Sequence, residues 1–172
     1  MATGIATRGY ICFVSTFAAF FTRAADFIRM CGISQVPVNF VGSHVGVSIG
    51  EDGTSQMGLE DIALFRGVPG SVIFYPSDAV SAERAVVLAA TYQGITYIRT
   101  TRGGTPIIYE NDDQEFGIGK AKVVRKSEND KVTIVTGGIT LPEAMKAAEE
   151  LDVGVRVVDL FSIKPVDATC LI

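Results

Sequence analysis

Apolar residues along this chain follow two alternating rhythms, short unbroken runs and stretches repeating near 3.6 residues. The runs fall at residues 10–14, 37–41, 71–75 and 95–98. They lack the polar positions of a half-wet strand, so each is expected to be a strand covered on both faces. Between the first two, Phe17, Phe20, Phe21, Ala24, Phe27, Ile28 and Cys31 hold a helical period past Arg23 and Asp26. This predicts a helix over about 17–30, capped by Ser15 or Thr16 and ended by Gly32. A second helix is expected over 56–66, stopping at Gly67, and a third over 80–92, capped by Ser77 or Asp78. Strand and helix alternating at this spacing give right-handed βαβ units. The fold class is therefore α/β, a parallel sheet with flanking helices.

Beyond Arg102 the pattern changes. Gly103, Gly104, Pro106 and the acidic run 110–115 form a polar, turn-prone connection, read as a linker. Short strands follow at 119–125 and 131–136. Thr140 and Glu143 have capping-box spacing around Pro142, opening a helix that runs to about Leu151, and 155–160 is another buried strand. The division expected is one domain over 1–115 and the start of a second, incomplete α/β domain over 116–172.

Composition narrows the classes. The chain has 172 residues, 48% of them hydrophobic, which suits a sizeable core and excludes disorder. A formal charge of −4 with no Lys/Arg cluster argues against nucleic acid. Cys12, Cys31 and Cys170 have no metal or disulfide spacing and read as reduced, as in a cytoplasmic protein. The uncharged stretch 9–22 falls short of the roughly 20 residues of a membrane span, and its helical period continues past Arg23, unlike a signal-peptide core.

Candidate chemistry gathers in the glycine-rich stretch 42–57. It holds His44, the only histidine, and the adjacent carboxylates Glu51 and Asp52. A loop of this kind leaving a buried strand is where open α/β sheets place ligands. A lone loop histidine also suits a structural role. Phe17 and Phe20, three apart, equally suit a core, and adjacent carboxylates equally suit a solvated turn.

Ser15-Thr16-Phe17-Ala18-Ala19-Phe20-Phe21-Thr22-Arg23-Ala24, Gly42-Ser43-His44 and Gly50-Glu51-Asp52-Gly53 followed by Ser55-Gln56 resemble the animal-type transketolase family, in its pyrimidine-binding middle domain. Tyr75-Pro76-Ser77-Asp78, Ile98-Arg99-Thr100 with Arg102, and Phe161-Ser162-Ile163-Lys164-Pro165 extend the likeness in register. It covers nearly all of this chain and a central minority of the family's length. The resemblance implies two-carbon ketol transfer between sugar phosphates in the pentose phosphate pathway. It also implies thiamine diphosphate, a divalent cation (magnesium or calcium) and a homodimer with the active site between subunits. By the same resemblance Phe17 and Phe20 form the wall for the aminopyrimidine, with Arg23 following on that face, and Gln56 lies near the cofactor. His44 and Asp52 contact the sugar, and Arg102 grips its phosphate, a task suited to a guanidinium fork. Arg99 is read as structural.

Two departures shape the expectation. The family's catalytic glutamate matches a position upstream of Met1, and the domain holding the diphosphate and metal with its Gly-Asp-Gly motif has no counterpart here; Gly50-Glu51-Asp52-Gly53 is not that motif. The polypeptide is therefore expected to be inactive alone, as part of a larger enzyme or a truncated product. The alternatives are a related thiamine enzyme, such as a deoxyxylulose-phosphate synthase or a 2-oxo acid dehydrogenase component, and a non-catalytic truncated paralogue acting through subunit pairing.

Overall fold

The computed structural model describes residues 1–113 and 115–172; Gln114, within the acidic connection, lies outside the described residues. The strands are β1 (Phe13–Phe17), β2 (Asn39–Ser43), β3 (Val72–Phe74), β4 (Thr96–Arg99), β5 (Lys122–Arg125), β6 (Asp130–Thr136), β7 (Gly154–Asp159) and β8 (Ser162–Lys164). The helices are α1 (Ala2–Ala6), α2 (Ala25–Ile33), α3 (Asp61–Arg66), α4 (Ala79–Thr91), α5 (Thr140–Glu150) and α6 (Ala168–Leu171). The main sheet has the order β1-β2-β4-β3-β8, parallel except for β8, and a smaller sheet has the order β5-β7-β6. This is the mixed, mostly parallel α/β architecture the periodicity implies.

The main sheet is covered on both faces, and its side chains alternate accordingly. Ile73 and Tyr97 join Phe21, Ile28, Phe40 and Phe65 on one side. Val72, Phe74 and Ile98 join Ala85 and Ala89 of α4 and Phe161 on the other. Tyr97 stacks on Phe65 at 4.0 Å, and its hydroxyl donates to the buried Asp61 at 2.8 Å. A Cβ at Gly42 would collide with that hydroxyl, so β2 needs a glycine opposite β4. Arg99 Nε donates to the same carboxylate at 2.6 Å. Arg99 is therefore held as part of the scaffold.

Several expected boundaries move. The first strand runs to Phe17, because its pairing with β2 continues through Phe17 opposite Ser43. Ser15 and Thr16 are strand residues and cap nothing. The segment expected to start one long helix is instead a 3₁₀ segment, Ala18–Ala24, before α2. The helix expected from residue 56 starts at Asp61; Gln56 closes a separate 3₁₀ turn, Thr54–Gln56. The Thr140 capping box does not form, since α5 begins at Thr140 itself and that hydroxyl donates to the Gly137 carbonyl at 2.9 Å. Asp78 does cap α4, exchanging hydrogen bonds with Ser81.

The second unit is bound into the first. α5 lies on β6 and β7 with a core including Leu141, Ala148, Val155 and Val157. The chain then returns to the main sheet as β8, antiparallel to β3. Asp159, fully buried at the end of β7, accepts from Ser77 Oγ at 3.0 Å and from Tyr109 Oη at 2.6 Å, both in the first unit. Burial pushes its carboxyl up to about 6, with the neighbouring Asp78 adding to the shift and Tyr109, Ser77 and Lys122 opposing it. The folded protein thus holds this proton more tightly than the unfolded chain. The resulting stabilisation is full below the unfolded value and is lost as pH rises through about 6. Wild type should gain on Asp159→Asn by about 2–3 kcal/mol between pH 7 and pH 4, at about 1.4 kcal/mol per pH unit over roughly two units. Urea unfolding of both proteins across that range checks this, and a difference independent of pH would contradict it.

Candidate functional site

Parallel pairing brings the carboxyl ends of β1, β2 and β4 side by side: Phe17 lies opposite Ser43, and Gly42 opposite Arg99. Three segments leave from this edge, the 3₁₀ segment after Phe17, the glycine-rich loop after Ser43, and residues 100–102. Backbone hydrogen bonds tie residue 100 to the end of β2 and close the glycine-rich loop on itself. Thr100 N donates to Gly42 O at 2.8 Å, Gly58 N to His44 O at 3.0 Å, and Gly46 N to Gly58 O at 2.9 Å. At Gly58 a Cβ would fall 2.6 Å from Ala18 Cβ, so the loop closes directly onto the 3₁₀ segment.

The 3₁₀ geometry governs how the aromatic residues present themselves. With three residues per turn, side chains at i and i+3 eclipse, whereas an α-helix would fan them apart. Phe20 and Arg23 align in this way, the Arg23 guanidinium 4.5 Å above the Phe20 ring, and Phe17, still extended at the end of β1, continues the column with its ring 5.4 Å away at 23°. The imidazole of His44 stacks on Phe17 at 3.8 Å and 20°. His44 adopts φ +59°, a left-handed conformation uncommon for a residue with a side chain and typical of ligand sites. Its Nδ1 pairs with Ser43 Oγ at 3.0 Å, and its Nε2 faces Asp52 Oδ2 at 3.6 Å.

Asp52 carries the column on to Arg102, whose Nε lies 2.8 Å from Asp52 Oδ2. That oxygen is buried and is held by its ion pair with Arg102 rather than by a directed hydrogen bond. Arg102 Nη2 donates to Glu51 Oε1 at 2.9 Å. The Glu51 carboxyl is held below its ordinary range, first by a backbone hydrogen bond and then by Arg102, whose guanidinium is raised in turn by Glu51 and Asp52.

Six of the seven residues singled out in the sequence thus form one chain of contacts, Arg23, Phe20, Phe17, His44, Asp52 and Arg102. Gln56 stands slightly apart. Its carbonyl accepts from Ser55 Oγ, and its turn packs against the 3₁₀ segment carrying the phenylalanines. Glu51 and Ser43 are named in the sequence reading but given no role of their own. Glu51 adjoins Asp52, but its pairing with Arg102 spans 51 positions and has no local signature. Phe17 and Phe20 are half-buried and Arg23 is exposed, so the column has an open flank of apolar and cationic character. Among the described residues there is no group of three or more His, Cys, Asp or Glu able to hold a metal ion, and no helix long and apolar enough to cross a membrane.

Comparison with known proteins agrees with this geometry. Residues 1–107 match the family "Transketolase, pyrimidine binding domain", and residues 119–172 match "Transketolase, C-terminal domain". The chain is 59% identical to transketolase-like protein 2 of Mus musculus over its whole length, covering 28% of that protein. It is 57% identical to the transketolase of Rattus norvegicus, with 97% of the chain matched and 27% of that protein covered. Among solved structures, a split gene transketolase described as an inactive β4 tetramer superposes with a TM-score of 0.88 at 37% identity, over 99% of this chain and 55% of that one. The chain therefore spans less than a third of the length of these curated relatives. With the fold, the matched domains and the relatives in agreement, the chain belongs to the transketolase family.

Proposed function

We propose that this chain supplies the pyrimidine-side and sugar-side half of a thiamine diphosphate site, and that it acts by pairing with a chain or region carrying the diphosphate and metal half. The observation that carries this reading is the unbroken column from Arg23 to Arg102 at the carboxyl edge of the sheet. Its half-open flank offers aromatic ring edges to a flat heterocycle, which gains edge-to-face contact and buried area there. The divalent cation and diphosphate would be held elsewhere. When bound, the cofactor supplies the carbanion chemistry of two-carbon transfer between sugar phosphates.

In this reading each residue has a distinct task. Phe17 and Phe20 seat the ring, Arg23 borders it, and Gln56 stands beside it on the neighbouring turn. His44, fixed between Phe17, Ser43 and Asp52, presents its imidazole to a sugar hydroxyl. Asp52 accepts a second hydroxyl. Arg102 holds the phosphate end. The division expected from the sequence, 1–115 and 116–172, is retained as the boundary between the pyrimidine-side unit and the second unit.

Surface character supports a paired rather than a solitary role. Phe27, Met30 and Ile33 of α2 are 74%, 46% and 57% exposed, and Tyr10 and Ile11 are exposed beside the edge strand β1. Apolar side chains gathered in this way mark a surface to be covered. The relative described as an inactive tetramer gives the pairing role, without activity of the chain alone, more support than a solitary enzyme.

Two outcomes are expected. Added in rising amounts to an active full-length transketolase, the chain should co-migrate with it and lower its activity; unchanged activity together with no co-migration would count against pairing. In the assembled protein Phe20→Ala should weaken thiamine diphosphate binding about tenfold by calorimetry, the scale of one lost aromatic contact with its buried area. Unchanged affinity would remove the wall from the account.

A further inference from the structure

Arg102 meets two carboxylates in different ways. Asp52 lies against Nε, near His44 and with its side chain only 31% exposed. Glu51 takes Nη2, and its side chain is 81% exposed. Both sit on a single 3₁₀ turn, Gly50–Asp52, bracketed by glycines at φ +69° and +79°. A side chain at Gly50 would strain that turn and reach within 3.5 Å of Arg102 Nη1. The turn thus lays both acids along one guanidinium, one fixed and one free to leave.

We propose that Glu51 is an affinity-setting residue that occupies the anion-binding edge of Arg102 until a phosphate monoester displaces it. The proposal rests on the reading of Arg102 as the phosphate-holding residue. A phosphate taking Nη2 leaves the Nε contact with Asp52 in place, so the guanidinium plane stays oriented while its outer edge changes partner. Two carboxylates against one guanidinium leave the site formally negative, which raises the threshold for any anion. A dianionic phosphate, able to accept from two N–H groups at once, can displace the single Glu51 oxygen. Glu51 therefore weakens phosphate binding by being the carboxylate already present. Its effect is modest because an exposed pair is screened by water.

The test uses the full chain and inorganic phosphate, titrated near pH ~7.5 at constant ionic strength. The readout is the imidazole NMR signals of His44, unambiguous because the chain has one histidine. Glu51→Gln should bind phosphate about threefold tighter than wild type, the factor that an exposed ion pair can supply. Glu51→Ala should behave likewise, and Arg102→Gln should show no saturable shift. Equal affinity in wild type and both Glu51 variants, with binding lost in Arg102→Gln, overturns the role of Glu51 and leaves Arg102 as the phosphate residue. A response that survives in Arg102→Gln, or no response in any variant, overturns the reading beneath it as well.

Discussion

The contact between Phe17 and His44 joins two strand ends that share no sequence neighbourhood, and the candidate site is arranged around it. It exists because β1 and β2 pair in a register that sets Phe17 opposite Ser43. Side chains in a strand alternate with period two, so a one-residue slip would turn Phe17 to the other face and leave His44 unsupported. The left-handed backbone at His44 then aims the ring back over the strand end. The aromatic wall and the polar end of the site are in this way parts of one packed column.

Rigidity behind the column comes from buried polar groups with full partners. Asp61 binds both Tyr97 and Arg99, which fixes β4 just before it releases Arg102. Asp159 binds Ser77 and Tyr109 and clasps the second unit to the first, while β8 completes the edge of the main sheet. Each carboxylate would be costly if left unpaired in such surroundings. Their placement keeps the strand ends in register while the loops beyond them carry the proposed site residues.

The sheet and its helices were legible because their signals are local. Unbroken apolar runs and the Asp78 cap correspond to β2, β3, β4 and α4. The first strand and its helix were misplaced because a 3₁₀ segment and an α-helix both repeat apolar residues near every third position. Only pairing with β2 decides that Phe17 is the last strand residue. The return of β8 to the main sheet was illegible for the same reason, as three residues after a buried strand carry no period of their own. At the site, the motifs place His44, Asp52 and Arg102 as separate contacts. The stack of His44 on Phe17 and the hold of Glu51 on Arg102 depend on long-range geometry and emerge only in the fold.

That stack can be read directly from the chemical shifts of His44. An imidazole lying 3.8 Å over a phenylalanine ring has its carbon-bound protons inside the ring's shielding zone. The account predicts strong upfield displacement of the His44 signals in the wild-type chain and their return toward unstructured values in Phe17→Leu with the fold retained. Signals at unstructured positions in the folded wild type, unchanged by that substitution, would contradict it.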